Sequence, residues 1–105
     1  MEQIKFTVSI GLFDKDTKQQ EIATIDAFKI CSNICLTMFS GATITEAKGI
    51  YTHPDTKEIV IEPTLIIDLL YTTDQQVDKF IQHIKVVLNQ NEVLKMKTIV
   101  NGEFK

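Results

Sequence analysis

Glu62 is the side chain best placed to do chemistry, because it is a carboxylate inside the apolar, β-branched run Ile59–Leu70 and stands next to Pro63. A carboxylate in such a run has two fates. It turns to water at a strand irregularity, or it is buried with a partner, for which Lys48 is the candidate cation. A buried charge needs pairing, and a paired buried acid marks a site. The other strand charges, Glu46, Lys48, Glu58 and Asp68, belong on an open sheet face or at an edge. His53 stands beside Pro54 in a turn, where binding loops sit, whereas His83 falls on the polar side of a helical pattern, as a surface residue does.

Cys31 and Cys35 share one helical face. Zinc would need further ligands, and both histidines lie in distant segments. Two cysteines one helical turn apart are also poorly placed for a disulfide, so the pair reads as small core residues. Asp14, Asp16 and Glu21 form a loose carboxylate group without the glycine and closing glutamate of a calcium loop, and read as a solvated loop. Phosphate-loop, dinucleotide, nucleophile-elbow and zinc-protease patterns are all absent. No metal or cofactor is expected, and no residue is assigned a catalytic role.

The elements that must position these groups follow from periodicity. Ile4, Phe6, Val8, Ile10 and Leu12 alternate with Lys5, Thr7, Ser9 and Gly11, which predicts a half-buried strand. A helix is predicted over 25–39, with Thr24 as N-cap and Gly41 in the left-handed position that closes many helices. Ala42–Thr52 is Thr- and Ile-rich and reads as a strand. His53–Lys57 is a turn, and Ile59–Leu70 is the third strand. Pro63 cannot donate to a sheet ladder, so it predicts a bulge at Glu62-Pro63 or a point where the strand runs past its neighbour. Thr73 and Gln76 form a capping box ahead of a helix over 74–88. Glu92–Val100 closes the order strand, helix, strand, strand, helix, strand.

That order predicts one ferredoxin-like α+β domain over residues 1–105: a four-stranded antiparallel sheet with two helices on one face. The second face is left open, and a homodimer or higher homo-oligomer is expected to cover it. Composition bounds the partners. The net charge is −3, and the 11 basic side chains are all lysine. Bidentate Arg readout of nucleic acid is thereby excluded, and a nucleic-acid partner is not expected. No 18-residue apolar run is present and the N-terminus lacks signal-peptide character, so a cytoplasmic protein without a membrane partner is expected.

Two stretches, Gly11–Glu21 (GLFDKDTKQQE) and Gly41–Leu65 (GATITEAKGIYTHPDTKEIVIEPTL), carry a resemblance. Through the glycine-ended first strand followed by Asp-Lys-Asp-Thr, and the G-A-T-I segment before a G-x-Y-T-H turn, the chain resembles small uncharacterised ferredoxin-like proteins of phages and mobile elements of Gram-positive bacteria. It departs from them at Thr56, where they carry a turn glycine, and at Pro63. The resemblance implies the fold and a mobile-element setting.

Together these readings predict a non-enzymatic binding protein, an anti-defence accessory that binds a host protein or sequesters a small nucleotide-like signal. The candidate ligand-binding residues are Thr43, Thr45, Lys48, Tyr51, Thr52, His53 and Glu62, all on the central hairpin. Two alternatives stand beside this reading. One is a small dimeric enzyme on the open sheet face, with His53 or Glu62 as general base. The other is a metabolite-sensing regulatory domain.

Overall fold

A computed structural model describes residues 2–105. The elements run β1 (Glu2–Gly11), α1 (Thr24–Met38), β2 (Thr43–Thr52), β3 (Ile59–Leu69), α2 (Asp74–Val87) and β4 (Leu94–Asn101). The four strands form one antiparallel sheet in the order β2-β3-β1-β4. This is the ferredoxin-like α+β architecture that the element order predicts.

Alternation decides which face is buried. Phe6, Val8 and Ile10 of β1 and Leu65, Ile67 and Leu69 of β3 lie on the helix-covered face, and each is at most 1% exposed. They meet Ala27, Cys31 and Cys35 of α1 and Val77, Phe80 and Ile84 of α2, which recur at helical spacing. Phe39 closes the core edge-to-face against Phe80, with ring centroids 5.5 Å apart. Burial pushes the thiols of Cys31 and Cys35 up to about 12 and about 11 respectively, so both stay protonated at neutral pH.

Two helix ends differ from the sequence reading. Thr24 is already helical and is not the cap. Ala23 precedes it without a side-chain cap bond, and its carbonyl accepts from Asp26 and Ala27. Gly41 is not left-handed. The chain leaves α1 through an extended Phe39, at φ −128° and ψ 157°, which carries that ring into the core and removes any need for a left-handed residue. At α2 the Thr73 half of the predicted box is present: the Thr73 hydroxyl accepts from the Gln76 N–H at 3.3 Å.

The β2–β3 register is continuous from Thr43↔Asp68 to Thr52↔Ile59, so no bulge occurs at Pro63. Instead β3 outruns β1. The β1–β3 ladder ends at Gly11↔Thr64, and the Pro63 carbonyl receives one last bond from the Leu12 N–H at 2.9 Å. Beyond that point β3 has no neighbour on the β1 side, so the missing proline N–H leaves no ladder bond unmade. The outer half of the hairpin therefore projects from the sheet as a two-stranded arm. Among the described residues, no helix is long and apolar enough to cross a membrane.

Candidate functional site

Where β1 stops and the hairpin continues, the open face bends into a cleft of about 650 Å³. Its floor is the inner flank of the arm: Tyr51, Val60 and Glu62, with His53 and Pro54 at the tip. One wall is the loop after β1, including Phe13, Asp14, Lys15 and Lys18. The other is Gln90–Glu92, between α2 and β4. The two walls are tied together. Gln90 Nε2 donates to the Phe13 carbonyl at 2.9 Å, and the Lys15 N–H donates to the Asn89 carbonyl at 3.0 Å.

Glu62 is half-buried and fixed from the backbone. Its Oε2 accepts from the Phe13 N–H at 2.7 Å. Its carboxylate lies over Gly11, where a Cβ would come within 2.5 Å of Oε2 and 2.7 Å of Oε1. Across β2 its register partner is Gly49, and on the other side the β1 ladder has already ended at Gly11↔Thr64, so Gly11 is a diagonal neighbour. Lys48 is not its partner. Lys48 is paired with Pro63 and therefore points to the opposite face, because successive residues of a strand alternate. Among the described residues no cation forms an ion pair with Glu62, and none donates to its Oε1. Glu62 is thus a half-buried acid that lines the cleft, with a backbone donor on one of its two oxygens.

Tyr51 stands next to it, 46% exposed and able to offer both its ring face and its hydroxyl. Its pKa is raised above the usual 10.0, first by desolvation and then by the negative charge of Glu62, so it remains a neutral donor. His53 shapes the tip. Its Nδ1 accepts from the N–H groups of Asp55 and Thr56 at 3.2 and 3.3 Å, leaving Nε2 as the ring's donor. Lys57 supplies the left-handed residue of the turn, at φ 63°.

The carboxylate group in the β1–α1 loop has a structural job. Asp14 Oδ2 accepts from the N–H groups of Asp16 and Thr17, and Oδ1 accepts from Asn89 Nδ2 at 2.9 Å. Those bonds hold the Asp14 carboxyl below its usual value, the Asn89 contact contributing most. Among the described residues no group of His, Cys, Asp and Glu is arranged to hold a metal ion.

Of the residues singled out from sequence, Tyr51, His53 and Glu62 meet in the cleft. Thr43 lies at the other end of β2, lining a separate hollow with Lys5, Asp68 and Tyr71. Thr45 sits mid-strand opposite Ile66, and Lys48 and Thr52 share the helix-side face of β2. The sequence reading missed Gly11 as a seat, the Phe13 N–H, and the walls from Lys15, Lys18 and Gln90–Glu92. A glycine closing an otherwise regular strand was the available signal, since it often marks close approach by another group.

No protein-family model matches the chain, and no curated protein sequence matches it. Solved structures do. A phage SAM lyase in complex with S-methyl-5'-thioadenosine superposes with a TM-score of 0.62 at 14% identity, covering 98% of this chain and 92% of that one. CutA1 from Oryza sativa gives 0.62 at 11% identity, with 99% and 84% covered. A B. subtilis GlnK–ATP complex gives 0.57 at 11% identity, with 92% and 82% covered. At these identities the likeness establishes the fold.

Proposed function

We propose that this protein takes a small adenosyl ligand bearing a positive sulfur centre, S-adenosylmethionine, into the Glu62 cleft and cleaves it, acting as a phage accessory that removes a host nucleotide-like cofactor. One observation carries the reading: Glu62 is a half-buried carboxylate with no ion-pair partner among the described residues, lining a cleft beside the exposed ring of Tyr51. A carboxylate and an aromatic face are complementary to an organic cation carrying a planar base. A cleft of about 650 Å³ is of the size that small ligands occupy. Two neighbours in fold space are complexes with adenosine derivatives, S-methyl-5'-thioadenosine and ATP, and the first of these is a lyase.

In cleavage to methylthioadenosine the bond between sulfur and the amino-acid γ-carbon breaks, and its electron pair neutralises the sulfonium. As that bond breaks, the ligand's own carboxylate bonds to the γ-carbon to give a lactone, or a β-proton passes to the Glu62 carboxylate and the fragment leaves as an alkene. Neither route needs an oxidant or a metal. In this reading Glu62 receives the cationic part of the ligand and Tyr51 covers it. Binding is expected to fall about 100-fold in Glu62→Gln, the loss typical of a hydrogen-bonded charge.

Isothermal titration calorimetry with S-adenosylmethionine and with methylthioadenosine, and chromatography of the products, test the reading. Binding with methylthioadenosine release supports it. Binding without turnover reduces it to the sequestering protein predicted from sequence, and absence of binding refutes it. ATP serves as the competing ligand for a regulatory reading.

We also propose that the protein self-associates through the hairpin arm. Its outer side exposes Ile50 (71%), Ile59 (75%) and Ile61 (55%), more apolar surface than an isolated arm keeps without a partner. Light scattering that returns a monomer at micromolar concentration refutes this.

A further inference from the structure

We infer that Gly11 is the positioning residue of the cleft: the space left by its absent side chain is the seat in which the Glu62 carboxylate lies, and the Phe13 N–H locks it there. The inference rests on the proposed ligand reading for its functional consequence, while the seat itself is a feature of the sheet.

Backbone conformation does not call for glycine at this position. Gly11 does not adopt a positive φ, and it pairs with Thr64 as any strand residue would. The requirement comes from the neighbour. A Cβ on residue 11 would lie 2.5 to 2.7 Å from three atoms of the Glu62 carboxylate, well inside contact distance. The Glu62 side chain would then have to swing off, and the 2.7 Å bond from the Phe13 N–H would be lost with it. Gly49, the other glycine flanking Glu62, makes a different demand. A Cβ there meets the Thr64 hydroxyl at 3.1 Å and no atom of the carboxylate. The two glycines therefore separate cleanly: Gly11 acts through the carboxylate, and Gly49 through packing. The loop after β1 reaches the seat because the Leu12 N–H still bonds the Pro63 carbonyl, which delivers the next N–H, that of Phe13, to Glu62.

A double-mutant cycle tests this on the full chain. Gly11→Ala, Glu62→Ala, the pair together, and Gly49→Ala are compared by S-adenosylmethionine affinity, thermal midpoint and the chemical shift of the Phe13 amide proton. Gly11→Ala is expected to weaken binding by ~10-fold or more, since small displacements of a binding group are costly. It should also lower the midpoint and move the Phe13 amide resonance toward its position in Glu62→Ala. In the Glu62→Ala background the same substitution should leave all three readings unchanged, and Gly49→Ala should leave the Phe13 resonance in place. Equal losses from Gly11→Ala in both backgrounds, or an unmoved Phe13 amide, overturn the inference. If the wild-type protein binds no S-adenosylmethionine, the ligand reading fails, and the midpoint and amide shift still decide whether the seat exists.

Discussion

Two groups of acidic side chains on this protein look alike in composition and differ in what their partners leave unfilled. On the helix side, Asp74 and Asp78 of α2 meet Lys95 and Lys97 of β4. Lys95 Nζ lies 2.7 Å from Asp74 and 2.8 Å from Asp78, and Lys97 Nζ lies 2.9 Å from Asp74. The same two ammonium groups sit 5.6 and 5.9 Å from the centre of the Phe6 ring. Every charge there has an opposite charge within reach, which holds the Asp74 carboxyl below its usual value and the Lys95 ammonium above its own. In the cleft, Glu62 has one backbone N–H and, among the described residues, no ion-pair partner. The first set is closed on itself; the second leaves a carboxylate without an ion-pair partner lining a cavity. Counting acids does not separate them, and accounting for each acid's partners does.

The largest effect expected from breaking this contrast is on ligand affinity. Glu62→Gln should reduce S-adenosylmethionine binding by about 100-fold, whereas Asp74→Asn should leave affinity unchanged within error, both read by calorimetry. Comparable losses from both would show that the contrast has no functional meaning.

A smaller effect concerns Tyr51. Because Glu62 contributes the second cause of its raised pKa, Glu62→Gln should bring the Tyr51 ionisation down toward the usual 10.0 without reaching it, desolvation being the larger cause. Ultraviolet absorbance of the tyrosinate follows this, with Tyr51→Phe identifying the signal. An unmoved titration would place Glu62 too far from the phenol to act with it.

The closed set should reveal itself through pH and salt. The carboxyls of Asp74 and Asp14 both titrate below the ordinary 3.8 in the folded protein. Their contribution to stability is present above that value and is lost as the pH falls through the lower, folded-state values. Asp74→Asn should therefore flatten the acid limb of the unfolding curve. At neutral pH it should cost only a small fall in Tm, and that fall should shrink in ~0.5 M salt as exposed pairs are screened. A salt-insensitive loss would mean that Asp74 acts as a helix-end residue rather than as an ion-pair partner.

The smallest effect is at Lys48. Since it faces away from Glu62, Lys48→Ala should change neither Tm nor affinity measurably, as is usual for exposed side chains away from a site. A clear loss of affinity would reopen the pairing that the sequence invites.

The contrast was only half legible in the sequence. Glu62 stands out as a carboxylate in an apolar run, and Tyr51 and His53 fall near the hairpin tip by spacing alone. Lys48 is the nearest cation to expect, and it fails as a partner because alternation puts it on the other face once Pro63 is known to be its opposite residue. Gly41 fails for a related reason: where the chain turns after α1 is decided by the pull of Phe39 into the core, which local preference does not contain.

Periodicity in the sequence determined the six elements, their order and the face each strand buries, because the helical and strand repeats are properties of neighbouring residues. Those repeats do not say which residue lies opposite which. The seat of Glu62 joins residues of β3 to Gly11 and to the Phe13 N–H, 49 positions away along the chain. That meeting depends on where β1 stops along β3, a register set by the packing of the whole sheet, and only the tertiary structure decided it.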